Sequence, residues 1–218
     1  GERHEIATYL HKGVKIYFEN EAAKGDEPKR DTFQHEEGIS AFLAKLLKDR
    51  STRPVHEAPF SMTREHDESG MKLDLVMQWT EATDEHLKSY VNGIPTGSGG
   101  THENGLRAGL GKAIRNFIDT HNLSPKGVTL TADDIREGVV GVLSVFLQEP
   151  QFQGQTKDRL NNPEATAAVD SQVRPALEHW LNTNISVAES IVARIILAAR
   201  AREVSRAAQQ EVTRKTAT

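Results

Sequence analysis

No cysteine occurs in the 218 residues. That excludes a disulfide framework and any thiolate-held metal, and it is compatible with a reducing cytoplasm. Nine histidines remain as possible ligands. They stand at His4, His11, His35, His56, His66, His86, His102, His121 and His179, with no HxxH or HxxxH pair among them. No metal site is therefore expected. No apolar run approaches the roughly 18 residues that cross a bilayer, and no signal segment opens the chain, so no membrane partner is expected. The chain starts Gly-Glu-Arg rather than with methionine, and a segment of a larger protein is expected.

Positive charge is also scarce over most of the length. The total is -4. From Ser186 onward six basic residues (Arg194, Arg200, Arg202, Arg206, Arg214, Lys215) face three acidic ones (Glu189, Glu203, Glu211), a local +3 that leaves -7 on residues 1–185. A net-acidic body offers a polyanion no general footprint; only the tail does.

What is present reads as an α+β domain. Ile6, Ala7 and Leu10 suggest the last turns of a helix stopped by Gly13, and Val14–Glu19 alternates as a strand. Residues 20–31 are polar and read as a mobile loop. Ile39, Phe42, Leu43, Leu46 and Leu47 recur at helical spacing after Gly38. Phe60–His66 and Met71–Trp79 read as a hairpin whose second strand buries Met71, Leu73, Leu75, Met77 and Trp79 and keeps Lys72, Asp74 and Gln78 wet. Ser89–Ile94 reads as one further strand, and residues 50–58 as poorly ordered. Thr101 is placed to cap a helix with Leu106, Leu110, Ala113, Ile114, Phe117 and Ile118 on its inner face. Thr131-Ala-Asp-Asp opens a short helix, its paired Asp133 and Asp134 better explained by the helix dipole than as a catalytic dyad. Val139–Leu147 is apolar enough for a central strand. Asn162-Pro163 starts a helix bearing Val169, Val173, Leu177 and Trp180, and from Ser186 the chain reads as one long helix. The expected architecture is a sheet of four or five strands with helices on one face.

Two stretches carry chemistry. Gly97-Ser98-Gly99-Gly100 lies before a helix, where backbone amides can cradle an anion. It lacks the lysine and hydroxyl of a nucleotide P-loop, so a plain turn is the preferred reading. Gln155-Thr156-Lys157 taken alone is a polar surface loop. In context, Tyr90–Arg107 (YVNGIPTGSGGTHENGLR) and Val145–Leu160 (VFLQEPQFQGQTKDRL) resemble segments of the ATPase (B or E) subunits of bacterial type IIA topoisomerases, gyrase and topoisomerase IV, and Ile94-Pro95-Thr96 leans towards the latter. The likeness extends loosely over nearly the whole chain, apart from residues 20–32 and 50–58.

The resemblance implies a transducer domain with a fold like the second domain of ribosomal protein S5. Residues 1–12 would end a linker helix from a GHKL ATPase domain, 13–182 would form the transducer, and 183–218 would lead to a TOPRIM cleavage domain. It also implies that Gln155, Thr156 and Lys157 form a loop at the γ-phosphate of ATP, with Lys157 catalytic and the nucleotide and its Mg2+ held mainly by the ATPase domain. The implied partners are those two domains, a second B subunit, the A subunit and double-stranded DNA, in the bacterial cytoplasm. Arg194, Arg200, Arg202 and Arg206 could touch DNA or merely line a solvated face. His102 is given a packing or domain-contact role rather than a catalytic one. Two other functions compete: a stand-alone nucleic-acid-binding S5-like domain, and the equivalent domain of a mismatch-repair ATPase.

Overall fold

The computed structural model describes residues 16–19, 30–33, 38–66 and 68–217. The helix end expected at residues 1–12 and the loop at 20–29 lie outside them. Arg30 and Asp31, read as loop, belong to a strand: β1 (Ile16–Glu19) pairs antiparallel with β2 (Arg30–Phe33). Next come α1 (Ile39–Asp49), β3 (Phe60–Glu65), β4 (Lys72–Trp79), β5 (His86–Val91), β6 (Ile94–Pro95) and α2 (Thr101–Thr120). The chain ends with α3 (Ala132–Arg136), β7 (Val139–Phe146), α4 (Pro163–Thr183) and α5 (Ile185–Thr216). The main sheet has the order β3-β4-β7-β5-β6, antiparallel except where β5 runs parallel to β7. The apolar run at 139–146 thus sits at the centre, and the fold is the α+β architecture expected, with a long final helix.

Leu73, Leu75, Met77 and Trp79 alternate along β4 and are fully buried in the larger core. Leu106, Leu110, Ile114 and Phe117 from α2, and Val169, Val173 and Leu177 from α4, complete it. The two helices meet closely because α2 carries glycine at the crossing. A Cβ on Gly105 would lie 2.5 Å from the Thr166 carbonyl oxygen and 2.8 Å from the Val169 Cβ. Truncating a leucine in such a core typically costs about 2–5 kcal/mol.

Helices cover both faces of the sheet, not one. Ile39, Phe42, Leu43 and Leu46 of α1 pack on Val76, Tyr90, Val140 and Val142 from the opposite side. The wet face expected for β4 is therefore half covered. Gln78 is buried there, its amide donating to the Glu57 carbonyl at 3.1 Å. Residues 50–58 are also fixed rather than loose. Val55 N–H donates to Trp79 (3.0 Å), Glu81 N–H donates to Arg53 (2.9 Å), and buried His56 accepts from Trp79 N–H through Nε2 (3.1 Å). Their polar composition concealed this because the partners, Gln78, Trp79 and Glu81, are distant in the chain.

The strand expected over Ser89–Ile94 is folded back on itself. Asn92 and Gly93 have φ of 51° and 79°, the left-handed pair of a two-residue hairpin turn. Two helix starts also differ. Gly100 rather than Thr101 is the N-cap of α2. Asn162 is the N-cap of α4 with Pro163 next, as expected, but its side chain makes no cap bond; it accepts from Gln151 N–H (2.6 Å) and donates to the Glu149 carbonyl (3.1 Å). At α3 the Thr131–Asp134 capping box is complete. Helices α4 and α5 meet at 111°, and among the described residues no single helix is long and apolar enough to cross a membrane.

Candidate functional site

Beyond β7 the chain leaves the sheet and forms a small lobe over residues 151–161. Backbone bonds close its base: Asn161 N–H to Gln151 (2.8 Å) and Gln153 N–H to Arg159 (2.9 Å). Gln155, Thr156 and Lys157 occupy the exposed tip. Gly154 turns the chain at φ 82°, and Lys157 itself has φ 57°, a left-handed conformation that a residue with a Cβ adopts rarely.

The two recognition stretches, distant in sequence, lie side by side. Leu160 N–H donates to Gly99 (3.1 Å), Thr101 N–H to Leu160 (3.1 Å) and Ser98 N–H to Asp158 (2.8 Å). Gly100 is required at this crossing: it has φ 138°, and a Cβ on it would lie 2.4 Å from the Leu160 carbonyl oxygen. The glycines thus serve chain approach and the turn into α2. The Asp158 carboxylate takes the Thr156 hydroxyl at 2.5 Å and the Ser98 hydroxyl at 3.2 Å. The Thr156 bond in particular holds its pKa below the usual carboxylate range.

Behind the glycines a polar chain enters the protein. The buried Ser89 hydroxyl is 2.6 Å from that of Thr96 and donates to Glu103 Oε2 at 2.9 Å. Burial raises the Glu103 pKa, against the lowering effect of Ser89 and Arg107. Arg107 joins Glu103 (3.4 Å) to Glu85 (2.8 Å), and Arg136 of α3 reaches Glu85 (3.2 Å) and Asp133 (2.7 Å). His102 is wholly buried, its Nε2 2.9 Å from the Thr96 hydroxyl, and burial pushes its pKa down to about 4. It is a neutral packing residue at ordinary pH.

Beside Arg136 on α3, Asp134 holds α5. Arg202 meets both Asp134 oxygens at 3.1 Å and also donates to the Thr129 carbonyl (2.9 Å). Burial alone would raise the Asp134 pKa, but its bonds from Arg202 and Thr131 hold it low. Arg194, only 8% exposed, donates to the carbonyls of Thr80 (3.0 Å) and Ala82 (2.7 Å) and pairs with Glu137 at 3.0 Å. Of the four arginines considered for DNA, these two are engaged with the protein's own groups, while Arg200 and Arg206 are exposed. Ser98, Asp158, Glu103, Arg107, Glu85 and Arg136 were not singled out in the sequence. Only Asp158 left a local signal, an acceptor two residues after a threonine. Among the described residues, no group of three or more His, Asp or Glu side chains is placed to hold a metal.

The family model for DNA gyrase B matches residues 38–211. The gyrase B protein of Halalkalibacterium halodurans is 34% identical over 96% of this chain, and that of Streptomyces coelicolor 36% over 98%. The chain spans 32% and 33% of their lengths. The 43K ATPase domain of Thermus thermophilus gyrase B, solved with an aminocoumarin, superposes with a TM-score of 0.82 at 29% identity, over 96% of this chain and 54% of that one. The topoisomerase IV ATP-binding domain of Francisella tularensis, solved with a small-molecule inhibitor, gives 0.76 at 33% identity, over 92% of this chain and 52% of that one. With a family model covering most of its length, this chain belongs to the DNA gyrase B family.

Proposed function

We propose that the chain is the transducer segment of an ATP-dependent type II topoisomerase. Residues 13–182 form the transducer, and the residues before them link it to the ATPase domain. Residues 183–218 form the helix that leads to a TOPRIM cleavage domain. The parent passes one DNA duplex through another with its A subunit and a second B subunit, and this segment relays nucleotide state to the DNA gate. The observation that carries the reading is the mounting of Lys157 and Gln155. Both stand exposed at the tip of a lobe whose base is hydrogen-bonded to the rigid start of α2.

Such a tip suits one anionic end of a ligand that another domain holds. The ATPase domain supplies ATP and Mg2+, and this chain supplies the Lys157 ammonium as a compact charge and the Gln155 amide as a donor. Because ATP is contacted from two domains, hydrolysis removes the bridge between them and frees them to rotate. The polar chain from Thr96 through Ser89, Glu103, Arg107 and Glu85 to Arg136 of α3, the helix to which Arg202 of α5 is fastened, supports a mechanical role. Arg200 and Arg206 remain candidates for DNA contact. Membership of the gyrase B family supports this reading over both the mismatch-repair and the stand-alone S5-like alternatives.

The test is Lys157→Ala in the full-length protein. Folding should be intact, because the side chain is exposed. ATP turnover should fall by orders of magnitude, since a charge stabilising a phosphoryl-transfer transition state contributes several kcal/mol and each ~1.4 kcal/mol is tenfold in rate. Arginine should rescue poorly, Gln155→Ala should harm less, and DNA cleavage by the full complex should survive. Wild-type turnover and strand passage in Lys157→Ala would overturn the reading.

A further inference from the structure

Lys157 is held in a left-handed conformation, and nothing in its own side chain favours that. The residues on either side of it do. The Thr156 hydroxyl donates to Asp158 Oδ1, a bond that spans Lys157 and closes a ring around its backbone. The other carboxylate oxygen and the main-chain carbonyl of Asp158 both take bonds from Ser98, from its hydroxyl at 3.2 Å and its N–H at 2.8 Å. Arg159 donates back to the Ser98 carbonyl at 3.1 Å. Ser98 sits two residues before Gly100, where the backbone of the lobe touches the start of α2. The chain of attachment thus runs from a rigid helix through Ser98 and Asp158 to the residue that carries the ammonium.

We infer that Asp158, anchored by Ser98 and bonded to Thr156, is a positioning residue that fixes Lys157 for phosphoryl transfer. This rests on the proposed role of Lys157. Asp158 does not itself meet the nucleotide. Its negative charge beside a phosphate-binding lysine is unfavourable for affinity, so its presence is better explained by geometry than by binding. A lysine on four flexible carbons acts on a transition state only when its backbone is fixed, and a displacement of about 1 Å can cost on the order of 100-fold in rate.

The experiment compares steady-state ATP hydrolysis by the full-length protein in its complete complex for Asp158→Ala, Asp158→Asn, Thr156→Val, Lys157→Ala and the Asp158→Ala/Lys157→Ala pair. Asp158→Ala is expected to lower kcat about 10- to 100-fold with KM for ATP nearly unchanged. Asp158→Asn should retain most activity, because its carbonyl still accepts from Thr156 and its amide can donate to the Ser98 hydroxyl. Thr156→Val, which removes only the bridging hydroxyl, should fall between them. The double variant should be no worse than Lys157→Ala alone, since a positioning residue has nothing left to position. Melting temperatures should be shared by all, as expected of an exposed loop. Wild-type kcat in Asp158→Ala beside an impaired Lys157→Ala would overturn the positioning role and leave that of Lys157 standing. So would a double variant in which the two losses multiply. If Lys157→Ala itself turned over normally, the functional reading would fall and the positioning role with it.

Discussion

His102 shows how one buried residue makes stability depend on pH. It is fully enclosed, one ring nitrogen is 2.9 Å from the Thr96 hydroxyl, and the other has no partner. Burial lowers its pKa from 6.5 to about 4. Between those values the unfolded chain binds a proton that the native fold refuses. The contribution of His102 is therefore complete above about pH 6.5 and is lost as the pH falls towards 4, by up to about 3 kcal/mol. Glu103 acts in the opposite sense: its folded pKa is raised, so its contribution is complete below 4.5 and fades as the pH rises through the raised value. The two effects oppose each other in wild type, so the His102 term is read by difference. Denaturant unfolding of wild type and His102→Asn from pH 7.5 to 4.5 should show wild type losing more stability on acidification. Parallel pH profiles would mean that His102 titrates normally in the fold.

Among the elements, α5 divides at the point where its fastenings end. Ala188, Ile191, Val192, Ile195, Ala198 and Ala199 are buried, Arg194 and Arg202 are tied to the body, and from Val204 onward the helix is exposed. At 1.5 Å per residue its exposed end extends about 20 Å with nothing to bury. Hydrogen exchange should find strong protection up to about Arg202 and weak protection beyond. Equal protection in both halves would show the second half held by a partner. The apolar stripe ending near Ala199 made this division legible in the sequence, as the period-2 pattern did for β4 and the helical spacing for α2 and α4. Each of those elements has one buried face, which is what periodicity reports. It fails for a sheet covered on both sides, so the second core under α1 went unread. It fails too for residues 50–58, whose partners Gln78, Trp79, Glu81 and Asp84 are distant in the chain and leave no periodic trace. The Asn92-Gly93 turn did leave a signal, the one dipeptide that most favours two left-handed residues in succession. At the site, Lys157 was legible through its motif alone. Ser98–Asp158 and Arg107–Glu85 join residues 60 and 22 positions apart, a spacing that leaves no local trace.

At the scale of the molecule, an exposed lysine stands on a lobe bonded to the start of α2, and a projecting helix is fastened to α3. Under the proposed function the chain supplies only part of a nucleotide site, Lys157 and Gln155 at the lobe tip being the groups assigned to the phosphate. A hydrogen bond to a charged group contributes about 1.5–3 kcal/mol, and the neutral Gln155 amide adds less. Association costs at least about 4 kcal/mol in lost translational and rotational freedom. The surplus falls short of the roughly 4 kcal/mol that even a millimolar Kd requires. The isolated chain, titrated calorimetrically with a non-hydrolysable ATP analogue, should therefore give no binding heat at micromolar protein, whereas the full-length protein should bind. Lys157→Ala should leave the silence of the isolated chain unchanged. Micromolar binding by the isolated chain would point to a second phosphate site, with the cleft beside Gly97–Gly100, lined by Lys88, Arg107 and Arg159, as the first candidate. In that case the glycines would be an anion cradle as well as a chain crossing, and binding would persist in Lys157→Ala but be lost in Lys88→Ala.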